Sequence, residues 1–145
     1  MLNAVAAGRV LDVHNGAYLS TGGVWTNASS RELKQDIQLL SNEDAQQTLA
    51  ALSPVRYAYK NSPDEEYVGF IAEDVPELVA SNDRKSLSPM DVVAVLTQVT
   101  KEQELQLTAQ ESKLSAQDER ITQLELALTE LLRERDNNLQ VSSLN

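Results

Sequence analysis

The chain has no cysteine, which excludes disulfide frameworks, thiol catalysis and cysteine-ligated metal centres. Its one histidine, His14, has no second histidine beside it and no acid–nucleophile pattern around it, and is assigned to a surface or turn. Aromatic residues make up only 4% of the 145 residues, enough for one domain but thin material for a large monomeric core. Glycine-rich phosphate loops are missing. No apolar run approaches the roughly 18 residues of a membrane span, and the first eight residues lack the basic start and long apolar stretch of a secretory signal. Positive charge is scarce: 12 Lys and Arg against 22 Asp and Glu leave a formal net charge of −10. That balance disfavours non-specific binding to nucleic acid or to an anionic membrane. Nothing in this inventory calls for a cofactor or a metal.

What is present falls into an ordered series. Arg9 to Val13 alternates as a strand does, His14-Asn15-Gly16 signals a turn, and Ala17 to Leu19 and Val24 to Thr26 flank a second turn at Gly22-Gly23. Strands this short are not independently stable, so residues 1–28 are expected to be the end of a β-structured stalk or passenger in a longer parent. From Arg31 the spacing of Leu33, Ile37 and Leu40 predicts a helix. Ser41-Asn42-Glu43-Asp44 starts another, which Pro54 ends. Val55 to Lys60 and Tyr67 to Ala72 then form a hairpin around Asn61-Ser62-Pro63-Asp64, and Glu73 to Ala80 is a short helix or turn. The fold class is α+β.

Ser88-Pro89 is a strong helix start, with serine at the cap and proline in the first turn, and nothing interrupts the helical pattern until Asn137-Asn138. A helix from Pro89 to about Asp136 extends roughly 70 Å and has to pack along its length. A heptad frame fits it. Val93, Thr100, Leu107, Leu114, Ile121, Leu128 and Arg135 take position a, and Leu96, Gln103, Gln110, Gln117, Leu124 and Leu131 take position d. Three successive glutamines at d lower stability, while polar layers of this kind can fix register and oligomer number. At the flanks, Lys113 and Arg120 lie at g, five residues before Asp118 and Glu125 at e, the pairing that a parallel coiled coil brings together across chains. Each exposed pair is worth only about 0.2–1 kcal/mol, so the pattern bears on orientation more than on stability. The tail from Asn137 to Asn145 is polar and expected to fray.

At the junction of the β-rich start and the body lies Ser29-Ser30-Arg31-Glu32-Leu33-Lys34. A desolvated lysine amine can take the proton from a serine hydroxyl and make it a nucleophile. The same residues also suit an ordinary helix start, with Ser29 or Ser30 capping and Glu32 in the first turn. Downstream come Leu-x-Pro-Val-Arg-Tyr-x-Tyr-Lys at Leu52 to Lys60 and Val-Gly-Phe-Ile-Ala-Glu-Asp-Val-Pro-Glu at Val68 to Glu77, before the long helix. This succession closely resembles the C-terminal intramolecular chaperone domain of phage endosialidases, tail spikes and tail fibres, a domain also found in bacterial fibrous proteins and in the myelin regulatory factor family.

The resemblance implies a homotrimer that helps an upstream β-structured passenger of the same polypeptide to fold and then releases itself by autoproteolysis. It implies a single-turnover serine endopeptidase with Ser29 as nucleophile and Lys34 as general base, placed on a phage tail or virion or on a bacterial surface. Many members carry aspartate where this chain has Ser30, and often histidine where it has Tyr67. Attack of the Ser29 hydroxyl on the Ala28 carbonyl passes through a five-membered ring, whereas attack on its own carbonyl needs a four-membered one. The expected scissile bond is therefore Ala28–Ser29, with Ser29–Ser30 open to a nucleophile acting across a subunit boundary. The expected organisation is a stalk end at residues 1–28, a chaperone body at 29–89, a parallel trimeric coiled coil at 90–136 and a tail at 137–145. The rival expectation is a non-catalytic trimerisation cap, in which Ser29 and Lys34 serve as a cap and a surface charge. Asn27-Ala28-Ser29 also fits the N-glycosylation pattern, which a buried processing site would not use.

Overall fold

A computed structural model describes residues 6–142, so expectations placed on residues 1–5 and 143–145 lie outside it. The fold class is α+β, built from two small antiparallel sheets and a long C-terminal helix. The chain divides into two compact units, Met1–Leu39 and Leu40–Asn145.

In the first unit, β1 (Arg9–Asp12), β2 (Tyr18–Ser20) and β3 (Trp25–Thr26) form one antiparallel sheet in that order. Both expected turns form around a left-handed glycine. Gly16, at φ 92°, donates to the Val13 carbonyl at 2.9 Å, and Gly23, at φ 80°, donates to the Ser20 carbonyl at 3.0 Å. His14 is exposed in the first of these turns. Among the described residues, Ala17 is this unit's one fully buried apolar side chain, and a polar group does much of the joining. The buried Asp12 carboxylate accepts the Ala6 N–H at 2.8 Å and the Arg9 guanidinium at 2.5 Å, while that guanidinium lies 3.9 Å from the Tyr18 ring centroid.

The helix expected from Arg31 to Leu40 does not form. A single 3-10 turn spans Arg31–Leu33, Lys34 returns to extended backbone at φ −124° and ψ 148°, and Asp36 is left-handed at φ 52°. The apolar spacing that suggested a helix has nothing to pack against, since Leu33 is 64% and Ile37 53% exposed, and a short helix without packing is marginal in water.

The second unit opens with α1 (Asn42–Ala51), whose cap is Ser41: its hydroxyl accepts the Asp44 N–H at 3.0 Å. Strands β4 (Val55–Tyr59) and β5 (Ser62–Gly69) pair antiparallel, with a register shift between Tyr57 and Tyr59. The hairpin turn is tighter than the sequence suggested, because Ser62 to Glu66 already belong to β5, and the strand ends at Gly69 rather than Ala72. A second 3-10 turn, Glu77–Val79, precedes α2, which runs Pro89–Ser142 for 54 residues, roughly 80 Å. It passes through Asn137-Asn138, where it was expected to stop, and runs on to Ser142. Asparagine costs under about 0.7 kcal/mol relative to alanine in a helix, too little by itself to end one that is already propagating. No helix of the described residues is long and apolar enough to cross a membrane.

The core of this unit is small. Ala45, Leu52, Val75, Val79, Val95 and Val99 are buried together, with Leu49, Phe70 and Val92 packed against them. Helix α2 thus gives Val92, Val95 and Val99 to the core, one face at three- and four-residue spacing. Val93 and Leu96, the first a and d residues, flank that face and are 49% and 43% exposed. From residue 103 to 139 every residue of α2 is exposed. The last contacts with the body are polar, where Asn42 donates to Glu102 at 2.5 Å and accepts from Gln98.

Two outcomes follow from this packing. Val95→Ala should cost about 2 kcal/mol of unfolding free energy by urea titration, since Val95 is 1% exposed. Leu105→Ala, at a position 68% exposed and outside the heptad seam, should stay within about 0.5 kcal/mol. In the first unit, the Ala6 N–H and then Arg9 hold the Asp12 carboxyl below its ordinary range. A depressed folded value contributes stability that is present above the unfolded value and lost as pH falls through the folded one. Trp25 fluorescence should therefore report loosening of the sheet below about pH 4, and Asp12→Asn should weaken the sheet at neutral pH and abolish that acid dependence.

Candidate functional site

The turn after β3 decides which of two adjacent serines does what. Ser30, at φ −60° and ψ 145°, is the cap of the 3-10 turn, its hydroxyl accepting the Glu32 N–H at 3.3 Å. Ser29 is left without a capping role. One turn later the Lys34 backbone N–H donates to the Arg31 carbonyl at 3.1 Å and the chain straightens, which carries the lysine side chain back over the start of the turn. Its Nζ donates to Ser29 Oγ at 2.7 Å. The structure thus brings Ser29 and Lys34 into direct contact through a local staple of six residues. Both side chains are exposed, and Ala28, whose carbonyl precedes Ser29, is half-buried.

The direction of that hydrogen bond matters chemically. As drawn, the lysine nitrogen donates to serine oxygen, an arrangement open to an ammonium. To act as a base, the amine must instead accept the hydroxyl proton, which requires its neutral form, and desolvation favours that form. The geometry is within the 2.6–3.2 Å that a nucleophile–base pair needs.

A contact that sequence reasoning missed flanks the same bond. Trp25 Nε1–H donates to Asn27 Oδ1 at 2.6 Å, tying the side chain two residues before Ser29 to β3. The signal was available as Trp-x-Asn at the period-two spacing that puts both residues on one face of a strand.

In the second unit, three tyrosines of the hairpin form a cluster. Tyr57 and Tyr59 meet edge-on at 5.3 Å between centroids, Tyr57 and Tyr67 stack at 5.9 Å, and Tyr59 and Tyr67 meet at 5.2 Å. The Tyr67 hydroxyl donates to Glu65, which pushes its ionisation above the ordinary tyrosine value. Tyr57 also crowds the glycine of the Gly-Phe-Ile-Ala segment, since a Cβ at Gly69 would stand 3.3 Å from its ring and the ring would have to give by a few tenths of an ångström. Arg84, left-handed at φ 49°, then donates to the carbonyls of Glu73 at 3.0 Å and Val75 at 2.6 Å, holding the segment after Ala72 in place.

These elements are the span in which a known family is recognisable. Residues 29–83 match the family model described as chaperone of endosialidase. The match begins on Ser29, takes in the staple, α1, the hairpin and the Gly-Phe-Ile-Ala segment, and ends just before Arg84 and the long helix. It supports the resemblance drawn from sequence and, with it, a chaperone role and the phage-tail context of the endosialidase chaperones. No curated protein and no solved structure matches the chain. Within the matched segment, the departure at Ser30 has a physical reading. Aspartate and serine are about equally good caps, so either residue holds the turn that presents Ser29.

Proposed function

We propose that this chain is a C-terminal intramolecular chaperone that assembles three copies through α2, supports folding of an upstream β-structured passenger, and then releases itself by cutting its own backbone beside Ser29. The observation that carries the proposal is the 2.7 Å contact between Lys34 Nζ and Ser29 Oγ, made at the first residue of the chaperone match. With the amine neutral, Lys34 takes the hydroxyl proton as Ser29 Oγ bonds to the Ala28 carbonyl carbon. The Ala28–Ser29 C–N bond breaks, and the lysine ammonium returns its proton to the departing Ser29 amine. Water then hydrolyses the ester, leaving a carboxylate on Ala28 and a free hydroxyl on Ser29. Assembly has a chemical part in this scheme, because burial of the exposed pair between copies favours the neutral amine.

The trimeric half is supported by α2. A helix that exposes Leu107, Leu114, Ile121, Leu124, Leu128 and Leu131 at heptad spacing has an apolar seam, interrupted at d by Gln103, Gln110 and Gln117, with no partner in its own body. Sedimentation equilibrium should report about three chains, and a monomer at micromolar concentration would refute this half. Replacing Gln103, Gln110 and Gln117 with leucine should raise the melting temperature while mixing oligomeric states.

The catalytic half is tested on a chain extended upstream by several native β repeats. Mass spectrometry and N-terminal sequencing should find a fragment beginning at Ser29. Ser29→Ala and Lys34→Ala should each abolish it while leaving the trimer intact, and Ser30→Ala should cleave nearly normally. Leu124→Asp with Leu131→Asp should stop cleavage by monomerising the helix, although the dyad is untouched. An extended wild-type protein that stays whole as a folded trimer would instead establish the non-catalytic trimerisation cap.

A further inference from the structure

The bond between Ala28 and Ser29 lies in a stretch that backbone hydrogen bonding leaves alone. Strand β3 ends at Thr26, and the 3-10 turn starts from its cap at Ser30. Among the described residues, the backbones of Asn27, Ala28 and Ser29 make no hydrogen bond of their own. A free stretch of chain samples many conformations, and only those that bring the Ala28 carbonyl carbon within about 3–3.5 Å of Ser29 Oγ can react.

Side chains hold this stretch instead, and they do so from both ends. On the amine side, Lys34 Nζ holds Ser29 Oγ at 2.7 Å. On the acyl side, Trp25 Nε1–H donates to Asn27 Oδ1 at 2.6 Å, and Trp25 is itself fixed opposite Leu19 in the β2–β3 ladder. The indole nitrogen is only a donor, so the Asn27 carboxamide meets it in one orientation, oxygen inward. Next along the chain, Ala28 lies over the β1–β2 turn, where a Cβ at Gly16 would stand 3.6 Å from its own. Water can replace a hydrogen bond between exposed groups, so the Trp25–Asn27 contact adds little to stability. What it restricts is the backbone that leads directly into the Ala28 carbonyl.

We infer that Trp25 and Asn27 are positioning residues for self-cleavage, tethering the acyl side of the Ala28–Ser29 bond to β3 so that the Ala28 carbonyl stays within reach of Ser29 Oγ. The inference rests on the autoproteolytic reading and adds to it the half of the alignment that the serine–lysine pair does not supply. No proton passes through either residue, and neither touches the reacting atoms. Because β3 places Trp25, the carbonyl is aimed only when that strand is formed, which ties scission to the folding of the sheet just upstream.

The test follows the rate of scission against pH on the chain extended upstream by its native β repeats. Trp25→Phe keeps an aromatic ring but has no N–H, and Asn27→Ala removes the acceptor. Each should lower the plateau rate by about tenfold or more while the trimer stays intact by sedimentation. The double variant should be no slower than the slower single one, since all three lack the same contact. Asn27→Asp keeps an acceptor for the indole and should hold the plateau within about threefold of the wild type. The pH of half-maximal rate should not move in Trp25→Phe or Asn27→Ala, because Lys34 is untouched. A general loosening that lets water onto the lysine would raise that pH, and such a shift would overturn the inference. So would effects that multiply in the double variant. If the extended wild-type chain cuts and the two single variants cut as fast, the positioning role falls and the autoproteolytic reading stands. If the wild-type chain does not cut, both fall.

Discussion

The rest of the structure depends on a helix that its own body cannot cover. The core reaches α2 only through Val92, Val95 and Val99, and the final contacts to Gln98 and Glu102 are polar. Beyond them the helix runs for some ten turns with every residue exposed. Helix propensity adds little per residue, so long helices draw most of their stability from packing an apolar face. The heptad seam of α2 starts beside the core-facing residues, where Val93 and Leu96 are still 49% and 43% exposed, and then runs on beyond the body. One side of the helix thus completes the body while its heptad seam remains open.

The candidate site has the opposite character, since it is almost wholly local. A three-residue 3-10 turn, one cap and one backbone return are enough to bring a serine and a lysine together. Such a staple needs no large core, which suits a unit whose described residues bury Ala17 and an ion-paired Asp12. What the staple does not supply is shielding from water. Contact and desolvation are separate requirements for a lysine base, and only the first is met within six residues of chain.

How legible these features were in the sequence follows the same division. Elements fixed by local chemistry were readable. The Gly16 and Gly23 turns, the Ser41 cap of α1 and the proline start of α2 each rest on one or two residues whose conformational preference is decisive. Errors arose where periodicity was taken without its partner. Leu33, Ile37 and Leu40 have helical spacing, but Leu33 and Ile37 stay exposed, so a helix there would have no apolar face to pack. The asparagines at 137 and 138 look like a stop, but their cost is small against a helix already formed. At the site, sequence named Ser29 and Lys34 but left the cap open between two serines, and only three-dimensional geometry assigns it to Ser30. The Tyr57 approach to Gly69 and the Arg84 bonds to the Glu73 and Val75 carbonyls were beyond reach, because each joins residues through a turn whose path no local rule specifies.

On the proposed reading, these physical differences also set an order of events. The staple, the β4–β5 hairpin and α2 are made of contacts between near neighbours in sequence, and structures of that kind form in microseconds to milliseconds. A β-structured passenger depends on distant pairings and folds far more slowly. Short strands such as β1 to β3, with four, three and two residues, gain little until partner strands are held beside them. A chaperone segment that folds first and brings three chains into register through α2 raises the effective concentration of those strands for one another. Placing the scissile bond between β3 and the staple then separates the two tasks at the point where slow β-structure gives way to fast local structure. Cutting there removes the scaffold without breaking a strand, because Thr26 ends β3 two residues before Ala28.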